Sequence, residues 1–483
     1  MEGYNMELLH FAVIDSAIPH GTILAVLAIV FGFYMAWSIG ANDVANAIGT
    51  SVGSKGLTLK QALLVAAIME FCGSVFVGSH VSETVRSGMF DPTKYEALPL
   101  VLGFIAALLS AAIWLQIATY YGWPVSTTHS IVGSVIGVGI LIGGFYSIRW
   151  EKVIAIVLSW VTSPISGGFV AFVMIRIIQR YILNSKHPLR QMYKFIPFIM
   201  FYVSFVLCLA MVYKGMPKFK LDLSLPKALL VSTIIGLISA GLSIIWARKK
   251  KEEHDRERIE KNIELTEPLE EGIPFVKKEL RGKDDVKPEL RPPLAPGSEL
   301  PSKLWEHRRQ FEFEKVEHVF RNMMVASACF LAFSHGANDV ANAVGPMTAA
   351  LDLIKSGIAG LKAQIPVWVL VLGAAGIVVG LATWGYKVIE TIGTKITQLT
   401  PSRGFAANIA AATTIVVASR LGLPISTTHT LVGAVMGIGL ARGIEYLNLR
   451  VIRDIVISWL VTVPIGAILG IVFYKILHLI FIG

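Results

Sequence analysis

The octapeptide GANDVANA occupies residues 40–47 and occurs again, unchanged, at residues 336–343. A second pair of motifs, PVSTTH at 124–129 and PISTTH at 424–429, follows each copy in the same order. Both pairs lie inside apolar stretches, where an ionisable or amide side chain is costly and usually functional. The sequence therefore predicts a duplicated membrane protein built around two copies of one polar motif set.

The composition excludes a soluble enzyme. Only 16% of the 483 residues are charged and 54% are hydrophobic, whereas soluble domains carry about 25% charged residues. The net charge of +10 resides in short loops beside apolar segments, because residues 248–318 hold 17 basic and 18 acidic residues. Such a distribution is typical of membrane topology signals and argues against a nucleic-acid partner.

Twelve apolar segments have about the 20 residues that a bilayer crossing requires. They lie near 22–48, 59–79, 98–118, 125–145, 152–183, 195–213, 226–247, 319–349, 366–389, 404–420, 425–441 and 451–482. The first copy of the motifs falls in segments 1–5 and the second in segments 8–12. A shift of seven segments reverses the direction of equivalent segments, which is the pattern of many secondary transporters. We expect an all-α integral membrane fold of about twelve transmembrane segments, in two inverted-topology repeats with broken or re-entrant helices.

The predicted organisation has four parts. They are a first repeat (1–183), two unduplicated spans (184–247), a charged loop (248–318) and a second repeat (319–483). Basic residues flank the loop on both sides, which places it in the cytoplasm and both termini outside. The chain has no Walker-type nucleotide motif, so transport would draw its energy from an ion gradient.

The Asn-Asp-x-x-Asn pattern predicts a cation site. Asn42, Asp43 and Asn46 share one face of a helix. Asn338, Asp339 and Asn342 repeat them in the second copy. Gly40 and Gly336 favour a helix break that exposes backbone carbonyls, and oxygen ligands of this kind suit a hard cation such as Na+, with Asp43 and Asp339 as the carboxylates. The alternative is hydrogen bonding between helices; duplication of the pattern favours the cation site.

The Pro-x-Ser-Thr-Thr motifs predict an oxyanion site. Pro124 and Pro424 suit the first turn of a helix. The residues that follow offer hydroxyl groups and can cap the helix: Ser126, Thr127, Thr128, Ser426, Thr427 and Thr428. A helix start presents free amides and the positive end of the helix dipole, so two such starts would hold an oxyanion between them. The alternative is a Ser/Thr-rich cap at a surface turn.

Three further residues are candidates for coupling. Glu70 lies in the middle of segment 2, and an intramembrane carboxylate is a functional candidate by default. His129 and His429 follow the hydroxyl motifs and could titrate or donate to the anion. For both histidines, a hydrogen bond with a backbone carbonyl is an equally good interpretation.

The four motifs and the hydrophilic central loop closely resemble the inorganic phosphate transporter (PiT) family, over nearly the whole chain outside the loop. The resemblance implies phosphate uptake coupled to Na+ or H+, inverted repeats, a central site and a homodimer. It assigns essential acidic roles to Asp43 and Asp339, an important one to Glu70, and a substrate role to the Ser-Thr-Thr blocks. Asn408 stands where similar eukaryotic members carry Glu, which leaves the coupling stoichiometry open.

The leading hypothesis is a sodium-coupled symporter of inorganic phosphate in a plasma membrane, such as a bacterial or archaeal inner membrane, working by alternating access. Its partners would be phosphate, Na+, the lipid bilayer and a second copy of the chain, and no cofactor is expected. The alternative is a proton-coupled transporter of metal-phosphate or sulfate, since Ser-Thr-Thr does not itself select phosphate. A phosphate sensor that signals through the loop is a third hypothesis. An enzyme is the least favoured, because no nucleophile-base pair, metal cluster or cofactor motif occurs.

Overall fold

The computed structural model describes residues 16–79, 81–82, 95–213, 223–260, 267–268, 274–275, 299–358, 365–385, 388 and 396–483. These residues are helical apart from turns, short connecting segments, an isolated bridge between Tyr213 and Leu223, and one short antiparallel pair, Glu267–Pro268 with Pro274–Phe275. The first helices are α1 (Gly21–Gly53), α2 (Leu59–Val77), α3 (Ala97–Tyr120), α4 (Thr127–Gly143), α5 (Trp150–Ile178), α6 (Pro188–Val212) and α7 (Leu225–Glu260). The others are α8 (Glu299–Asp339), α9 (Ala341–Ser356), α10 (Val367–Trp384), α11 (Pro401–Arg420), α12 (Thr427–Leu440) and α13 (Leu449–Phe481). The predicted all-α class is confirmed.

Eight helices in the described part of the chain are long and apolar enough to cross a membrane. They are α1, α2, α3, α5 with its extension to Leu183, α6, α7, α10 and α13. Helices α4 and α12 are apolar but shorter, and they correspond to the predicted segments 125–145 and 425–441. The structure therefore supports a polytopic membrane protein, while the count of twelve spans stays a prediction.

The central loop begins and ends as extensions of helices. Helix α7 continues past the predicted boundary at residue 247 to Glu260, and α8 begins at Glu299, well before the predicted boundary at residue 318. The charged run from Lys249 extends the preceding apolar part of α7 without a break. Most of the loop between 261 and 298 lies outside the described residues.

Helices of the two halves exchange partners. Helix α1 packs along α10 while α2 packs along α8, and α4 packs along α13 while α5 packs along α12. Two glycines of the repeated octapeptide allow close approaches between helices: a Cβ at Gly40 would collide with the carbonyl oxygen of Ile377, and one at Gly336 with that of Glu70. Because the two contacts are equivalent, Gly40 in one half corresponds to Gly336 in the other, and Ile377 corresponds to Glu70.

These glycines allow close packing between helices. Of the two copies of the motif, the second interrupts its helix and the first does not. Helix α1 runs unbroken from Gly21 to Gly53, so the predicted break at Gly40 is wrong. In the second copy the interruption falls at Val340, between α8 and α9, four residues beyond Gly336. Pro346 within α9 has no N–H, so the carbonyl of Asn342 lacks its usual donor four residues ahead in the helix.

We expect Gly336→Ala to destabilise the protein by about 1–3 kcal/mol or more, because the added methyl group would overpack α8 against the backbone of α2. Thermal unfolding in detergent measures the effect as a lower midpoint. Gly241→Ala is the matched control, since a Cβ at Gly241 meets no atom within 4 Å. Equal midpoints for the two variants would contradict the assigned packing role.

Candidate functional site

The two Ser-Thr-Thr motifs form the starts of α4 and α12. Ser126 is the N-cap of α4, and its Oγ accepts the backbone N–H of His129 at 3.2 Å. Ser426 caps α12 in the same way, accepting from the backbone N–H of His429 at 3.1 Å. The predicted capping is confirmed, whereas Pro124 and Pro424 are not in the first turn. Each lies two residues before its cap, where the fixed φ of proline suits the extended entry to the helix.

Each helix start contacts the segment that precedes the other. Thr128 Oγ1 donates to the carbonyl oxygen of Ile425 at 3.0 Å, and Thr428 Oγ1 lies 3.4 Å from the carbonyl oxygen of Val125. All six hydroxyl residues of the two motifs are buried. The structure thus brings the two predicted oxyanion motifs together as one cluster in the protein interior.

Asp43 lies on α1 beside the hydroxyl cluster of the opposite copy. Asn46 donates through Nδ2 to Asp43 Oδ1 at 2.9 Å and to Thr428 Oγ1 at 2.8 Å. Thr428 Oγ1 is itself 3.2 Å from Asp43 Oδ1. Asn42 is directed differently, since its Nδ2 donates to Thr119 Oγ1 and to the carbonyl oxygen of Trp123 at the end of α3.

Asp339, at the end of α8, has a denser set of hydrogen bonds. Thr427 Oγ1 donates to Asp339 Oδ2 at 2.6 Å, and Asn338 Nδ2 donates to Asp339 Oδ1 at 2.8 Å. Asn342 reaches into the other half, where its Nδ2 contacts Thr127 Oγ1 at 3.2 Å and Thr128 Oγ1 at 3.3 Å. Each half therefore donates an amide to the hydroxyl motif of the other half.

Three buried oxygens of the first copy lack a hydrogen-bond donor in the described part of the chain: Asn42 Oδ1, Asp43 Oδ2 and Asn46 Oδ1. Buried acceptors almost always have a partner, so such a group calls for an explanation. Amide and carboxylate oxygens are hard ligands that suit a small cation. The chemistry of these donors fits the predicted Na+ site better than the alternative of helix-to-helix hydrogen bonds.

His335 lies between two carboxylates and was missed by the sequence analysis. Its Nε2 is 2.8 Å from Asp339 Oδ2, its Nδ1 is 3.2 Å from Glu70 Oε1, and all three side chains are fully buried. Ligand atoms of Asp43, His335 and Asp339 all lie within 4.8 Å of one another. A neutral imidazole has only one N–H, so it could donate a hydrogen bond to only one of these two carboxylates.

Glu70 thus joins the site through His335. The position equivalent to His335 in the first copy is Ile39, and the packing of the glycines makes Ile377 the equivalent of Glu70. Both isoleucines are fully buried. The charged bridge therefore exists on one side only, and the opposite side carries an apolar pair at the same place.

His129 and His429 pair with tryptophan carbonyls. His129 Nδ1 lies 3.3 Å from the carbonyl oxygen of Trp459, and His429 Nδ1 lies 3.1 Å from that of Trp160. Their rings pack with centroids 4.4 Å apart, and each also contacts the tryptophan of its own half. These contacts agree with the carbonyl interpretation, and a coupling role for either histidine stays a prediction.

Asn408 forms a neutral polar junction. Its Nδ2 donates to Ser51 Oγ at 3.0 Å and to Ser327 Oγ at 3.2 Å, while its Oδ1 accepts from Thr50 Oγ1. A carboxylate at this position would accept hydrogen bonds but could not donate these two. The amide therefore matches its surroundings in this chain, and its predicted part in coupling stays a prediction.

The fold and the site together define a polytopic helical membrane protein with a closed polar centre. The sequence profile of the Phosphate transporter family matches residues 39–470, and the chain belongs to this family. A solved structure titled "The sodium-dependent phosphate transporter" is 38% identical, covers 95% of this chain and 100% of its own, and superimposes with a TM-score of 0.78.

Named relatives carry the same description. Inorganic phosphate transporter 2-1, chloroplastic, of Arabidopsis thaliana is 41% identical over 93% of this chain and 72% of its own length. A protein of Pyrococcus horikoshii, provisionally named a phosphate permease, is 40% identical over 94% of this chain and 98% of its own. The relatives are transporters and permeases, which confirms the prediction that the chain is not an enzyme.

Proposed function

We propose that this protein is a symporter that couples the entry of inorganic phosphate to Na+ and works by alternating access. The observation that carries the proposal is the set of donor-free oxygens of Asn42, Asp43 and Asn46 beside the Ser-Thr-Thr cluster. A cation site in contact with an oxyanion site has a direct reason for coupling, because the charge of each ligand lowers the cost of binding the other.

The proposed roles follow the two kinds of side chain. Na+ is held by the Asn and Asp residues of both copies, with Asp43 and Asp339 supplying the charge. Phosphate is held by the hydroxyl groups and by the helix starts. The Oγ atoms of Ser126 and Ser426 accept the capping N–H groups, which leaves their hydroxyl protons available for an oxyanion.

Alternating access accounts for the burial of the site. Asp43 and Asp339 are both 0% exposed, so this conformation is closed to solvent and ligands need a rearrangement to enter or leave. Inverted repeats are part of the proposal. Their support is the pairing of equivalent contacts across the halves, as with His129 on Trp459 and His429 on Trp160.

The test is phosphate uptake into proteoliposomes under separately imposed Na+ and pH gradients. We expect uptake to follow the Na+ gradient, to saturate with phosphate and to resist excess sulfate. Uptake that follows the pH gradient without Na+, or that sulfate abolishes, would replace this proposal with the proton-coupled alternative.

Two parts of the proposal need measurements of their own. The protein is proposed to lie in a plasma membrane with its central loop in the cytoplasm and its termini outside. It is also proposed to form a homodimer. Protease accessibility of the loop in oriented vesicles tests the first statement, and mass photometry of the purified protein tests the second.

A further inference from the structure

A second polar cavity lies at the charged end of α7, among α7, α8 and the connection between α1 and α2. Its volume is about 620 Å³. The side chains that give it its chemistry are Gln61, Trp246, Lys250, His318, Arg321 and Asn322. None of the residues that form the closed polar centre lines this cavity.

The α7–α8 cavity is basic. Lys250 and Arg321 line it, and no carboxylate is among its described lining residues. The acidic partner of Lys250 is the exposed Glu253, 2.6 Å away. Burial and the nearby positive charges of Arg321, Lys315 and Lys250 lower the pKa of His318. These cationic side chains therefore lie close to His318.

Lys250, Arg321, Gln61 and Asn322 offer N–H donors to this cavity. His318 Nδ1 is buried without a hydrogen-bond partner in the described part of the chain. Gln61 uses its Oε1 in the cap of α2, where it accepts from Thr58, which leaves its amide N–H groups for another acceptor. A guanidinium, an ammonium and side-chain amides around one cavity suit a ligand with several anionic oxygens.

The cavity also lies where apolar surface meets charge. Helix α7 is apolar up to Ala247 and continues as Arg248 and three lysines, with Trp246 at the transition. Tryptophan at such a transition is typical of the membrane interface. Val325 on α8 lines the cavity and is 43% exposed, and Ile245, which precedes Trp246 on α7, is 67% exposed. An amphiphile could place its anionic group in the cavity and its chains along these side chains.

We propose that the α7–α8 cavity binds the phosphate group of an anionic ligand, either a phospholipid headgroup from the surrounding bilayer or a free phosphate anion. Basic pockets between transmembrane helices bind anionic headgroups in other membrane proteins. The exposed apolar side chains next to the cavity favour the lipid. Since Gly56 and Leu57 line the cavity, its occupant would contact the connection that follows α1, the helix that carries Asp43.

The test uses the full-length protein labelled with 5-fluorotryptophan, with the ¹⁹F resonance of Trp246 assigned through Trp246→Phe. Three samples are compared: phosphatidylcholine nanodiscs, nanodiscs that also contain phosphatidylglycerol, and phosphatidylcholine nanodiscs with added inorganic phosphate. A shift with phosphatidylglycerol alone assigns the site to a lipid headgroup. A shift with inorganic phosphate in neutral lipid assigns it to the free anion. No shift in either sample overturns the proposal.

A charge-matched pair of variants makes the test specific. Lys250→Gln/Arg321→Gln should weaken the interaction roughly tenfold or more for each lost contact with a charged group. Lys186→Gln/Arg190→Gln removes the same charge from exposed positions on the same predicted side of the membrane and should leave the shift unchanged. Lys250→Arg/Arg321→Lys should retain binding, which separates loss of charge from misfolding.

An equal loss of the ¹⁹F shift in both double-glutamine variants would show that the shift depends on general surface charge, and it would overturn the proposal. No readout depends on uptake, so the proposed transport function is tested separately.

Discussion

Asp43→Asn should abolish the stabilisation of the protein by Na+ and reduce phosphate uptake at limiting Na+ by roughly 10- to 100-fold. The factor corresponds to the loss of one or two contacts with a charged group. In the structure Asp43 Oδ2 has no hydrogen-bond donor among the described residues, while Oδ1 is bonded by Asn46. Replacement by an amide therefore removes the charge offered to the cation and changes few contacts within the protein.

The same variant should fold at least as well as the wild type in Na+-free buffer. Asp43 and Asp339 both have ligand atoms in one cluster within 4.8 Å, so neutralising one carboxylate relieves repulsion between like charges in a buried site. Saturating Na+ at about a hundred times its dissociation constant should stabilise the wild type by about 2.7 kcal/mol. The variant should lack this increment.

Thermal unfolding and uptake, each titrated with Na+, measure the two effects on one preparation. Asp454→Asn is the matched control, because Asp454 is an exposed carboxylate that pairs with the exposed Arg453. It should retain both the stabilisation and the uptake of the wild type. A Na+-dependent midpoint that persists in Asp43→Asn would remove Asp43 from the cation site.

Asp339→Asn should behave differently from Asp43→Asn. Asp339 Oδ2 is bonded by Thr427 at 2.6 Å and lies 2.8 Å from His335. Its replacement breaks contacts within the protein, so stability without Na+ should fall together with uptake. The comparison of the two variants distinguishes a residue that binds the ligand from one that also stabilises the fold.

The duplicated motifs predicted which residues would come together, and they did so for a physical reason. Polar side chains inside apolar helices need partners, and the two copies offer donors and acceptors of matching kind. The N-caps at Ser126 and Ser426 follow from local chemistry alone and were predicted. The hydroxyl groups lie in one buried cluster with Asp43, Asn46, Asp339 and Asn342, a proximity of the two kinds of motif that the sequence did not specify.

The partners within the cluster could not be derived from sequence. Asn46 donates to Thr428 of the other half, and Asn342 donates to Thr127 and Thr128. These contacts arise because helices of one half pack against helices of the other. Which half supplies a partner depends on how the two halves pack, and periodicity carries no information about it. The same limit applies to Gly40, which was expected to break a helix and instead admits the backbone of α10.

His335 was missed because nothing in its own segment distinguishes it. A single histidine in an apolar run is usually satisfied within the core, and the repeat offers Ile39 at the matching position. One signal was present: His335 and Asp339 are four residues apart and therefore share a helix face. Its second contact, with Glu70, comes from α2 and emerges only when the halves pack together.

His335→Ile should lower the free energy of unfolding by about 3–5 kcal/mol, the cost of leaving a buried charge without its partner. The substitution removes the imidazole that contacts both Glu70 and Asp339 and leaves two fully buried carboxylates. Glu70→Ile should cost less, since His335 then keeps its contact with Asp339 2.8 Å away.

The double variant His335→Ile/Glu70→Ile should be more stable than the sum of the single losses. It reproduces the apolar pair Ile39 and Ile377, which the protein already tolerates fully buried at the equivalent place. Residues in direct contact give interaction energies of about 0.5–3 kcal/mol in such cycles. Chemical denaturation of the four proteins in detergent provides the cycle, and strict additivity would contradict a direct bridge between His335 and Glu70.

Uptake then distinguishes a structural bridge from one that orients the carboxylate. The double variant removes a partner of Asp339 while the hydrogen bond from Thr427 remains. If His335 holds Asp339 in position for the cation, the refolded double variant should still need more Na+ than the wild type for half-maximal uptake. Ile39→Val is the control, with a stability cost of about 0.5–1.5 kcal/mol and no change in Na+ dependence. If the double variant keeps the Na+ dependence of the wild type, the contacts of His335 with Glu70 and Asp339 stabilise the fold only. The apolar pair on the opposite side would then have the same structural role.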